Sequence, residues 1–238
     1  MVSGLMSTGG KSAAFAAFLL VFGPDVLSAA APVREAMTVL AALSMIFGNV
    51  VAISQTSVKR MLAYSSVAHA GYILTGVIAA NADGSNGVMF YLLAYTLMNV
   101  GAFGVLSILE TATMDNVRIE DLSGLGRTSP WLAGLMALFM FSLSGIPPFA
   151  GFFGKYYVFT GAIEAGYTWL AIVGVIMSVV SAYYYLRLVV VMYFQGGTAP
   201  QTGTATGMGM LSLVLPAIAL LVLGLLPSMV VNLTTLCF

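Results

Sequence analysis

Charge is what this sequence has least of. Among 238 residues there are 8 Lys and Arg and 8 Asp and Glu, 7% in all, with a net charge of zero. A soluble domain carries roughly 25% charged residues, so this chain cannot cover a water-facing surface. That excludes a soluble enzyme, a nucleic-acid binder and a disordered protein. There is one cysteine, Cys237, which excludes a disulfide framework, an iron–sulfur site and a Cys-based zinc site. The single histidine, His69, excludes a haem held by two histidines of this chain. Glycine-rich phosphate loops, HExxH, a Ser–His–Asp set and nucleotide fingerprints are also missing. No metal site and no bound cofactor is expected, and the chain carries no redox or hydrolytic chemistry of its own.

What is there is apolar. Hydrophobic residues make up 60% of the chain and the mean hydropathy is +1.02. A spanning helix needs about 20 mostly apolar residues. Seven such stretches follow one another: 4–22, 36–54, 61–80, 88–109, 131–161, 167–194 and 208–231. They are about twice the length of a barrel strand and do not alternate, so a β-barrel does not fit. The expectation is one all-α, polytopic membrane domain over 1–238, with lipid as its surroundings. Short polar connections lie at 23–25, 55–60 and 81–86. The longest polar loop, 110–130, carries Glu110, Asp115, Arg118, Glu120, Asp121 and Arg127, and a Gly/Thr-rich loop at 195–207 reads as mobile. The first stretch lacks a basic leader segment and so reads as a span; a signal anchor is the alternative. With alternating spans, Lys59, Arg60, Arg118, Arg127 and Arg187 gather on one side and Arg34 on the other. The first side is then cytoplasmic and the C-terminus periplasmic.

Two charges stand where lipid should be. Lys11 lies inside the first span and Lys155 well inside the fifth. Centring a lysine in a membrane helix costs roughly 2.5–3.5 kcal/mol on insertion scales. Such residues either face a bundle interior or water and serve ion pathways, or snorkel to the interface. The fifth span has a second anomaly. Its 31 residues would make about 46 Å of helix against a hydrocarbon core of about 30 Å. In its middle stands Ser-Leu-Ser-Gly-Ile-Pro-Pro-Phe-Ala-Gly, with Gly145, Pro147 and Pro148. Two prolines remove two donors and disfavour helix before them. The span is expected to break near 145–151, as helices do at midplane ion sites; an extramembrane turn between two short helices is the other reading.

The third span carries Ser65, His69, Tyr72 and Gly76 on one helical face, spaced i, i+4, i+7, i+11. Histidine both donates and accepts a proton near neutrality, so the stripe reads as a hydrated path or as hydrogen-bonded core. The fourth span repeats the pattern with Tyr91, Tyr95 and Asn99, and the sixth has Ser178, Ser181 and Tyr183-Tyr184-Tyr185, ending at Arg187. At least two of those three tyrosines read as an interfacial aromatic belt. Glu110, Glu164 and Arg187, near span ends, read as solvated. No carboxylate lies at the depth of the lysines, so a partner for Lys11 is expected from outside these spans.

Two stretches carry a resemblance to a known family. Residues 48–72, GNVVAISQTSVKRMLAYSSVAHAGY, resemble the hallmark stretch of the antiporter-like subunits of respiratory complex I. Residues 143–159, LSGIPPFAGFFGKYYVF, are more specific and resemble the subunit N branch, the bacterial counterpart of mitochondrial subunit 2. The likeness runs over about residues 1–232. It implies two inverted five-helix repeats within about fourteen helices, of which this chain matches the second half. The family's glutamate and first lysine, on earlier helices, have no position here. The resemblance implies a membrane-arm subunit that couples NADH oxidation and quinone reduction in other subunits to proton translocation. Those other subunits would hold NADH, FMN, iron–sulfur clusters and quinone. It implies as neighbours antiporter-like subunit M and small subunits K and J, and a place in the bacterial inner membrane. Lys11 would match the central-membrane lysine, Lys155 the broken-helix lysine, and His69 a polar residue of the connecting path, supported by Ser65, Tyr72, Tyr95 and Asn99. The rivals are an Mrp-type cation/proton antiporter subunit and a structural subunit that conducts nothing.

Overall fold

The computed structural model describes residues 2–22, 24–113, 117–197 and 207–227. Among them the chain is helical throughout: α1 (Val2–Val21), α2 (Pro24–Ala29), α3 (Ala31–Ile53), α4 (Val58–Ala79), α5 (Ala82–Thr113), α6 (Leu125–Thr128), α7 (Pro130–Ser144), α8 (Ala150–Glu164), α9 (Thr168–Phe194) and α10 (Gly207–Leu225). Four helices are long and apolar enough to cross a bilayer: Ala31–Ile53, Val58–Ala79, Ala82–Glu110 and Thr168–Phe194. Shorter apolar stretches lie at Thr8–Val21, Pro130–Ser144 and Leu211–Leu225. The expected fifth span is two helices, α7 and α8, and the last lies partly outside the described residues. So do Cys237, Asp115 and most of the Gly/Thr-rich loop.

Helix α4 is the axis. It packs against α1, α3, α5, α8 and α9, and all but a few of its residues are buried. Helices α3 and α9 instead leave a long apolar face uncovered, with Leu40, Phe47, Val50, Val175 and Val179 exposed. That division is what lipid as a solvent produces. The outward face needs no polar residue, and the polar residues collect inside.

Two connections differ from expectation. The stretch 81–86 is not a loop, because α5 begins at Ala82. The Asn81 side chain accepts from the Gly84 amide (2.7 Å) and so caps the first turn. Gly84 and Gly87 then allow close approach to α4 and α8, where a Cβ would collide with Gly76 and Tyr157. The polar loop after α5 is anchored, not free. Val58 N bonds Val117 O (3.1 Å) and Ile119 N bonds Thr56 O (2.9 Å), tying it to the α3–α4 connection. Lys59 pairs with Glu110 at 2.8 Å, so Glu110 is half-buried in an ion pair and not simply solvated. Arg118 and Arg187 line one small cavity at this end. Arg34 lies at the opposite end of α4, donating to Ile78 O (3.0 Å) and Ala79 O (3.3 Å) and stacking on Tyr167 (4.7 Å).

Candidate functional site

The break between α7 and α8 follows from its residues. Gly145 takes φ +83°, a region costly for any residue with a Cβ. Gly145 N bonds Ser142 O (3.1 Å) and Ile146 N bonds Phe141 O (3.3 Å), the paired bonds of a Schellman ending. Pro147 and Pro148 cannot continue the helix, and Phe149 is extended before α8 begins. Two carbonyls of the last turn of α7, on Leu143 and Ser144, are left without helical donors.

Lys155 takes them. From the second turn of α8 its Nζ donates to Ser144 O (2.9 Å), Leu143 O (3.3 Å) and Ser178 Oγ of α9 (2.8 Å). The side chain is 4% exposed. A cation here also meets the negative end of the α7 dipole. Hydrogen bonds to a charged group contribute roughly 1.5–3 kcal/mol each, so three of them offset the insertion cost of a buried lysine. Burial at three acceptors removes the snorkelling reading for Lys155. The break sits beside Tyr72 of α4, Met98 of α5 and Ser178 of α9, each well inside a long helix, so it is not an extramembrane turn. A cavity of about 510 Å³ reaches the same amine from the groove between α8 and α9, past Tyr156, Ile163 and Val179.

Ser178 gives this cage a chemical property. An ammonium fills all three acceptors with its three N–H groups. A neutral amine has two N–H groups and a lone pair, and the Ser178 hydroxyl can turn to donate to that lone pair. Both protonation states are hydrogen-bonded.

His69, on α4, is buried between two phenols. Its Nδ1 lies 2.8 Å from Tyr91 Oη of α5 and its Nε2 3.1 Å from Tyr185 Oη of α9. A phenol donates or accepts, so either imidazole tautomer is served. The ring is 5.0 Å from that of Tyr95 and 5.7 Å from that of Tyr72. Those two tyrosines reach the lysines: Lys155 Nζ is 5.2 Å from the Tyr72 ring and Lys11 Nζ 5.8 Å from the Tyr95 ring. Lys11 Nζ donates to Ser66 O at 2.6 Å. Tyr95, whose ring lies near both Lys11 and His69, and Asn99, one turn further along α5, keep Oη and Nδ2 buried without a well-formed protein hydrogen bond. Orphaned polar groups of this kind are what buried water serves. Among the described residues, no carboxylate pairs with Lys11 or Lys155.

The geometry thus brings Lys11, His69, Lys155, Tyr72, Tyr95, Asn99, Gly145, Pro147 and Pro148 into one region, with Ser65 one turn before His69 on the same buried face of α4. It corrects one expectation. Of the tyrosine run, Tyr183 is exposed, but Tyr184 and Tyr185 are fully buried, so at most one of the three belongs to an interfacial belt. The reason is azimuth: these two face α3 and α4, where Asn49 and His69 take their hydroxyls. Sequence reasoning also missed Ser66 and Asn49. Asn49 is the one amide in an otherwise apolar stretch of α3, and a polar side chain in a spanning helix seeks a partner; that was the available signal.

Comparison with known proteins fits this geometry. The family model described as "NADH:quinone oxidoreductase/Mrp antiporter, TM" matches residues 1–181. NADH-quinone oxidoreductase subunit N of Trichlorobacter lovleyi is 45% identical over 232 residues, covering 97% of this chain and 48% of that protein. A chain of respiratory complex I from Thermus thermophilus with bound aureothin is 39% identical with a TM-score of 0.75, over 83% of this chain and 45% of that one. A chain of the Mrp complex from Dietzia sp. has a TM-score of 0.77 at 22% identity, over 87% and 47%, a likeness of fold alone. The chain spans about half the length of the curated relatives it matches. A lysine caged at a broken helix, and a match over three-quarters of the sequence, lead to one statement: the chain belongs to the antiporter-like transmembrane family of NADH:quinone oxidoreductases and Mrp antiporters, on the side of the subunit N sequences.

Proposed function

We propose that the chain acts in the membrane arm of a proton-translocating NADH–quinone oxidoreductase, and that protons pass along Lys11, His69 and Lys155. The observation that carries this reading is the file itself. Three protonatable side chains on α1, α4 and α8 are linked through Tyr95 and Tyr72. The last of them sits in a cage that serves both the charged and the neutral amine. Lys155 takes a proton from the His69 side and releases it as Ser178 turns to donate. His69 relays by exchanging tautomers between Tyr91 and Tyr185. The orphaned Tyr95 and Asn99 groups support a hydrated link from Lys11.

In this reading the redox chemistry belongs to partner subunits that hold NADH, FMN, iron–sulfur clusters and quinone. The neighbours are membrane-arm subunits, among them M, K and J. A change of charge in a neighbour is what loads and unloads the lysines. The chain lies in the bacterial inner membrane with the Lys59, Arg118 and Arg187 end in the cytoplasm. Helix α10 then runs towards the periplasm.

The test is Lys155→Ala in the assembled complex. Protons moved per NADH oxidised are expected to fall, because the group that takes up and releases the proton in this chain is gone. An unchanged ratio defeats the proton role of Lys155. The family likeness also covers Mrp antiporters; sodium-dependent transport without NADH oxidation would favour that assignment.

A further inference from the structure

We propose that Asn49 is a positioning residue for this path: its amide sets the direction of the Tyr72 hydroxyl, and with it the orientation of the ring that separates His69 from Lys155. The proposal rests on the reading of Lys155 as a proton carrier.

Asn49 is fully buried on α3. Its Nδ2 donates to Met45 O (2.7 Å) and to Tyr72 Oη (3.0 Å), and its Oδ1 accepts from Tyr184 Oη (3.0 Å). The amide has one consistent orientation. Met45 O can only accept, so the group facing it and Tyr72 is the NH2. Tyr72 Oη must therefore accept from Asn49, and its own proton points away from that amide. One amide thus fixes a phenol on α4 and a phenol on α9. A short asparagine reaches Tyr72 because α3 and α4 are in close contact. A Cβ at Gly48 would overlap the Ala68 backbone, and one at Gly71 would meet Met45 and Ala41.

The consequence concerns the path. With its oxygen held by the Asn49 amide, the Tyr72 ring keeps one setting between His69 and Lys155. In that setting the ring stands edge-on to His69 and faces Lys155, so it is the link between them. Losing the Asn49 donor frees the phenol to turn. The titratable groups that meet Asn49 are Tyr72 from α4 and Tyr184 from α9; His69 and Lys155 lie beyond the Tyr72 ring.

The test uses Asn49→Asp in the full complex, because the shape is kept. An ionised aspartate cannot donate to Tyr72, whereas a protonated one can. Protons per NADH, relative to wild type at the same pH and normalised to assembled complex, are expected to fall about tenfold at alkaline pH, the scale of one buried hydrogen bond. They are expected to recover to within about twofold of wild type as pH falls and the acid regains its donor. In a Tyr72→Phe background the same substitution is expected to add nothing. Asn49→Leu, which never donates, is expected to show the loss at every pH. Wild-type pumping in Asn49→Asp and Asn49→Leu overturns the proposal. So does a loss that ignores pH and adds in full to that of Tyr72→Phe. If Lys155→Ala pumps normally, the proton-carrier reading fails first, and that variant alone identifies the failure.

Discussion

Lys11 and Lys155 are the same side chain solvated in two ways. Lys155 is buried, held by three acceptors, and owes two of them to a helix that stops. Lys11 sits on the unbroken α1, half-buried, with one backbone acceptor at Ser66. Beside it Gly9 and Gly10 face open space, whereas Gly145 and Gly151 beside the break are closely filled. The difference teaches what a broken helix provides. A continuous helix keeps its carbonyls to itself, so its lysine depends on neighbours. A helix that ends in mid-fold offers free carbonyls and the negative end of its dipole to a cation.

Three sets of substitutions sharpen or break this contrast. The largest effect is expected from arginine. Lys155→Arg should abolish most pumping, because the planar, larger guanidinium does not fit a cage where even Gly145 lies 3.1 Å, by its virtual Cβ, from Nζ. Lys11→Arg should retain the greater part, since one backbone carbonyl on an unbroken helix face, and no closed cage, holds that amine. Equal losses in proton-to-electron measurements would erase the distinction. A middle effect is expected from alanine scanning of glycines. Gly145→Ala forces a Cβ into positive φ and should cost about 1–3 kcal/mol. Gly9→Ala and Gly10→Ala should be neutral or stabilise by about 0.5–1 kcal/mol, as read from thermal denaturation in detergent. The smallest effect is expected from the tyrosine run. Tyr185→Phe removes one of two partners of His69 and should slow pumping by about two- to tenfold, the scale of one net hydrogen bond. Tyr183→Phe, on the exposed face, should leave it unchanged.

The fold was legible in the sequence to the extent that depth is. Run length and the Pro147-Pro148 pair located the spans and the break. Lys11 and Lys155 stood out because charge is rare there, and the spacing of Ser65, His69, Tyr72 and Gly76 marked one face of α4. Azimuth was not legible. In lipid both faces of a helix are apolar, so hydropathy does not say which side of α9 meets the core. That is why Tyr184 and Tyr185 read as an interfacial belt and Asn49 went unnoticed. The start of α5 was obscured for a different reason. Asp83, Gly84, Ser85 and Asn86 have loop composition, and only the Asn81 cap and the close approach of Gly84 and Gly87 to α4 and α8 make a helix of them.

The central claim is that the Lys155 amine lies inside the protein at bilayer depth, bound to backbone that an interrupted helix has released. A cryo-electron microscopy map of the assembled complex in a lipid nanodisc measures it directly. The account predicts Nζ near the middle of the hydrocarbon layer, within hydrogen-bond distance of Ser144 O and Ser178 Oγ, with α7 and α8 separated at 145–149. An amine among the head groups, beside a helix continuous from 130 to 164, would contradict it.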